Sequence, residues 1–238
     1  MVHQSIVLAP ALTDNESRQK IAQQTNNEAL QKLKILAKEL IPPTVKVSFS
    51  VSEAHLLTTL NTLLAEPFDN IIFTGIKGTG LLKQIFLGSM AVQVIDNTEN
   101  IIVAIPKEIS TFSHEKIFVA VTESHRLNIL ELNKFLNFIV NENTCITFFY
   151  LAKPNEQTTR IEKQLNDLSY LFTDRFKTKI AIYEGNNPFE DIKKVINNKK
   201  EEMLIVQKGS RLLTDQLFRR FLINELVYEG QTPLIILP

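Results

Sequence analysis

Short apolar runs alternate with helical stripes along the whole chain. Residues 6–11 form the first run. Ala29, Leu30, Leu33, Leu36, Ala37 and Leu40 then recur three and four apart, the spacing of one helix face, and Pro42-Pro43 ends that helix. Val45, Val47, Phe49 and Val51 alternate with Lys46, Ser48 and Ser50, which predicts an edge strand over 45–51 with one face in water. Ser50 or Ser52 offers an N-cap for the next helix, whose apolar face is Leu56, Leu57, Leu60, Leu63 and Leu64. Residues 70–74 and 101–105 are β-branched and apolar, as buried parallel strands are, and 81–94 between them reads as a mostly apolar helix.

The same scheme returns further on. Strands are predicted at 117–121, 146–151, 179–183, 203–206 and 234–237, with helices between them. Ile161, Leu165, Leu168, Leu171 and Phe172 share one helix face, Ile192, Val195 and Ile196 mark another helix, and 213–228 carries the last. Both halves close alike, on Ile-Ile-Val-Ala-Ile-Pro106 and Pro-Leu-Ile-Ile-Leu-Pro238. Alternating strands and helices imply right-handed crossovers and parallel sheets with helices on both faces. The chain therefore reads as α/β, with two tandem flavodoxin-like three-layer α/β/α domains. The first spans 1–106 and lacks one βα unit, the polar stretch 107–115 is the linker, and the second spans 116–238. For the first sheet to be continuous, the run 6–11 must lie between 45–51 and 70–74.

Charge and cysteine usage narrow the partners. Lysine plus arginine equals aspartate plus glutamate at 26 each, which leaves no electrostatic footprint for nucleic acid or an anionic membrane. No apolar run approaches the ~20 residues of a membrane span. Ala9-Pro10-Ala11 is a strand end rather than a signal-peptidase site, because only Ile6–Leu8 precedes it as an apolar stretch, with no lysine or arginine before it. The single cysteine, Cys145, excludes an internal disulfide and any CxxC motif. It opens an apolar run, so a small buried side chain is expected, and the cytosol is the fitting compartment. His3, His55, His114 and His125 are scattered without metal-ligand spacing. Arg219 and Arg220 read as a solvated helix face, and Glu201-Glu202 has no companion acid for a catalytic dyad.

Candidate chemistry concentrates after residue 74. Of seven glycines, Gly75, Gly78, Gly80 and Gly88 lie in one short stretch between a strand and a helix, where backbone amides can approach phosphate oxygens. A Walker A loop is excluded because Leu81-Leu82 stands where Lys-Ser/Thr is required, and a Rossmann fingerprint because Lys83 takes the third glycine position. Ser89 has no G-x-S-x-G elbow and no histidine partner, so it is not a nucleophile.

What remains is Gly75-x2-Gly78-x9-Gly88-Ser89, and the run from Phe73 to Met90 resembles the signature of the universal stress protein family. The resemblance implies the fold that family shares with adenine nucleotide α hydrolases, a regulatory role in stress response, and ATP, with Mg2+, as ligand. It implies that Gly75, Gly78, Gly88 and Ser89 hold ribose and phosphates, with the amides of Thr79 and Gly80 nearby. Catalysis would be at most slow ATP hydrolysis, and no catalytic residue is assigned. It further implies that the last strands, 101–105 and 234–237, pair antiparallel as an intrachain pseudo-dimer, and it admits a homodimer. The chain departs from ATP-binding members in having no aspartate at the end of its first strand. In the second copy Gln207, Ser210, Arg220 and Phe221 stand at the positions of Gly75, Gly78, Gly88 and Ser89, and Gly209 is left as a turn. Thr122-Glu123-Ser124 replaces the family's Asp-Gly-Ser. Side chains there block close backbone approach, so the second domain is read as a structural or regulatory partner. The alternative for the whole chain is an interaction module with a vestigial pocket.

Overall fold

The computed structural model describes residues 1–11, 13–76, 90–106, 109, 113–123, 125–139, 143–185, 202–209 and 232–238. Contacts divide the chain into two compact units, Met1–Asp69 and Asn70–Pro238.

In the first unit, β1 (Val2–Gln4) pairs in parallel with β2 (Ser50–Ser52), in the register Val2↔Ser50 to Gln4↔Ser52. The two strands form a sheet of their own. This corrects two expectations. The run 6–11 is not a strand, and it does not intercalate between 45–51 and 70–74; Ile6 and Leu8 are 77% and 87% exposed. The alternation over 45–51 shortens to Ser50–Ser52, because a strand persists only where a partner supplies ladder bonds, and β1 supplies three residues.

Helix α1 (Asn15–Leu40) runs far upstream of its apolar stripe. Asp14 caps it, accepting from the Ser17 amide at 2.9 Å and the Ser17 hydroxyl at 2.8 Å. Glu16–Lys20 and Gln24–Glu28 contacts at i,i+4 support the polar first half. Helix α2 (Leu56–Leu64) is not capped by Ser50 or Ser52, which lie in β2. Instead, the Leu56 amide donates to Gln4 Oε1 of β1 at 3.1 Å.

The second unit contains a seven-stranded sheet in the order β3-β4-β9-β8-β5-β6-β7. Its strands are β3 (Ile71–Ile76), β4 (Ile101–Pro106), β5 (Lys116–Ala120), β6 (Cys145–Ala152), β7 (Lys177–Glu184), β8 (Glu202–Gln207) and β9 (Leu234–Leu237). Among them are helices α3 (Met90–Asn97), α4 (Ile129–Phe138) and α5 (Thr159–Phe172). Every pairing is parallel except β4–β9, which is antiparallel through Ile102↔Ile236, Val103↔Ile235 and Ala104↔Leu234. The two apolar closing strands thus cover each other, as expected of edges that would otherwise invite aggregation. The segment 107–115 leads from β4 to β5 inside this unit.

One core crosses that seam. Ile101 and Val103 of β4 join Ile117, Val119, Ile146, Phe148, Met203, Ile205 and Ile235 on one sheet face. Leu132, Phe135 and Leu136 of α4 and Ile161, Leu165, Leu168 and Phe172 of α5 pack onto them. Alternation along each strand sends these residues to one face because successive side chains point to opposite sides. Within the predicted α5 stripe Leu171 is the exception, at 59% exposure. Cys145 is half-buried rather than buried. The helices expected around 192–196 and at 213–228 lie outside the described residues.

Candidate nucleotide-phosphate site

Strand β3 carries the first predicted ligand residue to the carboxyl end of the parallel β3–β4 pair. Its β-branched start, Ile71-Ile72, pairs with Ile101-Ile102, and the ladder continues to Gly75↔Ile105 and Ile76↔Pro106. Gly75 is exposed, and a Cβ there would meet no described atom within 4 Å. Parallel α/β sheets bind ligands outside such carboxyl ends. Gly78, Thr79, Gly80, Gly88 and Ser89 lie outside the described residues. Helix α3 is described from Met90, and its C-terminal end leads through Thr98, whose buried hydroxyl donates to Val94 O at 2.8 Å, into β4.

The carboxyl end of β8 is built differently. Gln207 Oε1 accepts the Asn128 amide at 2.6 Å. Asn128 caps α4 with Oδ1 toward the Glu131 amide at 3.3 Å, and its Nδ2 donates to Pro238 O at 3.4 Å. The side chain at the position of Gly75 therefore serves the neighbouring helix start. Gly209 adopts φ +81°, the left-handed turn conformation expected of it, with the His125 ring 3.9 Å from the place of a Cβ. Ser210, Arg220 and Phe221 lie outside the described residues.

Further along that edge Glu156 and Glu184 hold neighbouring groups. Tyr150 donates to Glu156 Oε1 at 2.8 Å, and the Lys153 amide donates to Glu156 Oε2 at 2.7 Å. The Lys153 amide and the Tyr150 hydroxyl together hold the Glu156 carboxyl below its ordinary range. Burial, and then the Glu156 carboxylate, push the Tyr150 phenol well above its usual range. Burial raises Tyr183 as well. Asn155, in a left-handed conformation at φ 60°, donates its amide to Glu184 Oε1 at 3.2 Å.

Other sequence candidates do not converge. Among the described residues no group of three or more histidine, cysteine or acidic side chains is placed to hold a metal. Glu202 opens β8 fully buried, with Lys116 Nζ 4.0 Å away. Sequence reasoning passed over Gln207 as a helix-capping side chain and Lys208 as a cross-sheet donor. Neither carries a local signal, since their partners lie 79 and about 110 residues away in sequence.

The sequence matches no protein-family model and no curated protein. Solved structures do resemble the chain. A universal stress protein from Archaeoglobus fulgidus DSM 4304 superposes with a TM-score of 0.66 at 15% identity, over 95% of this chain and 84% of its own. A functionally unknown protein from Pseudomonas aeruginosa PAO1 gives a TM-score of 0.53 at 11% identity, over 99% and 92%. A candidate universal stress protein from Pseudomonas aeruginosa UCBPP-PA14 gives 0.57 at 12% identity, over 99% and 91%. The fold is thus the flavodoxin-like α/β fold found in universal stress proteins, and the likeness spans nearly the whole chain. No helix among the described residues is long and apolar enough to cross a membrane.

Proposed function

We propose that this chain is a cytoplasmic, universal-stress-protein-like regulatory protein that binds an adenine nucleotide through Gly75, Gly78, Thr79, Gly80, Gly88 and Ser89. The observation that carries the reading is Gly75, next to last in β3 at the carboxyl end of the parallel β3–β4 pair, with no described atom within 4 Å of where a Cβ would stand. A phosphate oxygen can approach backbone amides only where no Cβ intervenes. Each charge-assisted N–H contact to phosphate contributes about 1.5–3 kcal/mol, so a few amides suffice for selective binding. Mg2+ would accompany the nucleotide and neutralise part of its phosphate charge. The β4–β9 ladder acts as the seam of an intrachain pseudo-dimer in which 116–238 supports the nucleotide-binding half without holding nucleotide itself.

The test is thermal. A ligand that binds only the native state raises its melting temperature, by an amount set by its concentration relative to Kd. Millimolar ATP with Mg2+ should raise the melting temperature of the full chain. Gly88→Val should abolish that rise while leaving the far-UV spectrum unchanged. A wild-type protein that shows no rise, or a variant that keeps the full one, would remove the nucleotide reading and leave an interaction module in its place.

A further inference from the structure

Buried polar side chains normally find a hydrogen-bond partner, so those that do not are informative. Seven such atoms occur among the described residues, and five of them lie at one edge of the seven-stranded sheet. Glu202 opens β8 with both carboxylate oxygens buried and unbonded. Thr144 stands immediately before β6, His114 two residues before β5 and Thr232 two residues before β9. Thr144 Oγ1, His114 Nε2 and Thr232 Oγ1 are buried and unbonded in the same way. The strands β9, β8, β5 and β6 are neighbours and run parallel, so all four residues gather at their amino ends.

Glu202 has the greatest need. Lys116 lies opposite it in the β5–β8 register, on the same sheet face, yet its ammonium stops 4.0 Å from Oε1, beyond hydrogen-bond reach. A fully buried carboxylate needs donors on its oxygens as well as a neighbouring charge. On the other side Leu204 pairs with Leu234, and the Leu204 amide donates to Pro233 O at 3.0 Å, which brings Thr232 alongside Glu202. The Thr232 hydroxyl, also buried, makes no bond to the carboxylate. Neighbouring strands lie about 4.8 Å apart, and an oxygen bonded at ~2.8 Å to each of two groups spans that gap.

We infer that Glu202 and Thr232 hold an ordered internal water molecule, which donates to the carboxylate and completes the hydroxyl beside the Lys116 ammonium. The ligand must both donate and accept, because the carboxylate takes only donors and the ammonium offers only donors. Water does both and is small enough to be buried between two strands. A metal ion does not fit. The Lys116 charge is already beside Glu202, and among the described residues no three acids, histidines or cysteines converge. Strand β9 also carries the antiparallel ladder to β4, so the water ties the amino end of β8 to the strand that joins the two flanks. The inference is independent of the nucleotide reading and concerns the opposite end of β8 from Gln207.

The experiment is a crystal structure of the full-length wild type at a resolution that shows ordered water, paired with magnetic relaxation dispersion of the water oxygen, which counts long-lived internal waters in solution. Density for a water within about 3.2 Å of both a Glu202 oxygen and Thr232 Oγ1 is expected. Absence of that density, a direct bond from Glu202 to a protein donor, or a metal ion in the water's place overturns the inference. In solution Glu202→Met and Thr232→Val should each lower the count by about one relative to wild type. An unchanged count in either variant overturns it. A water-bridged pair should also be coupled, so in urea unfolding the effects of Glu202→Gln and Thr232→Val on the unfolding constant should depart from multiplicative behaviour by more than about twofold. Independent effects overturn the bridge. If a variant fails to fold, the wild-type crystal structure decides alone.

Discussion

At the carboxyl end of β3 stands Gly75, exposed, with no described atom within 4 Å of where a Cβ would sit. At the carboxyl end of β8 stands Gln207, whose amide oxygen accepts the Asn128 amide at 2.6 Å and so serves the start of α4. Both strands belong to one sheet, but the antiparallel β4–β9 pairing reverses the direction between them. Each carboxyl end therefore lies at an opposite edge, each edge the ligand side of its own parallel flank. At the first end no described side chain stands over the backbone, whereas the second is occupied by the protein's own side chain. The core explains how both can coexist. It fills one sheet face with Phe135, Phe148, Leu165 and their neighbours, away from the strand ends, so an edge can gain or lose a binding role without loss of the fold.

The strongest way to break that comparison is to attack the shared core. Phe135 is fully buried, and Phe135→Ala should cost about 3–5 kcal/mol in urea unfolding. ATP affinity of whatever remains folded should be unchanged, because the core is separate from the open edge. Gln207→Ala comes next. It leaves the part-buried Asn128 amide without its acceptor and should cost about 1–3 kcal/mol, with no gain of ATP binding at that edge. A loss too small to measure would mean that Gln207 does not hold α4.

Tyr150→Phe should cost about 0.5–1.5 kcal/mol through the lost hydrogen bond to Glu156. It should also move the Glu156 carboxyl titration upward, as followed by NMR. The folded-state value of Glu156 is depressed, so its contribution is present above the ordinary carboxylate range and fades as pH falls through the lowered folded value. In Tyr150→Phe that contribution should be smaller, and its loss should be complete at a higher pH. Gly75→Ala should have the smallest effect on stability, within about ±0.5 kcal/mol, because the added methyl meets nothing described. It should nonetheless weaken ATP. Unchanged affinity there would erase the contrast between the two strand ends.

Most strand positions were legible because burial leaves a period in the sequence. The predicted strands 117–121, 146–151, 179–183 and 203–206 coincide with β5 to β8 apart from a few terminal residues. The α5 stripe placed Ile161, Leu165, Leu168 and Phe172 in the core. Where local propensity rather than burial decides, the pattern was silent. The first half of α1 has no apolar stripe and forms through the Asp14 cap and i,i+4 polar pairs. The reverse error came at 6–11, where apolar composition suggested a strand although no ladder partner was available. Of the proposed ligand residues, Gly75 is the one whose surroundings the structure describes.

The sequence by itself determined the alternation of strands and helices, the faces of β5 to β8 and α5 that enter the core, and a glycine run between β3 and α3. These follow from spacing along the chain, which encodes the face of an element but not its partner. Tertiary structure alone decided that Gln207 would cap α4, that Lys208 would reach the end of α3, and that the strand after 101 would share a core with α4. Those contacts join residues far apart in sequence, and side chains find such partners only once the sheet order β3-β4-β9-β8-β5 has brought them together.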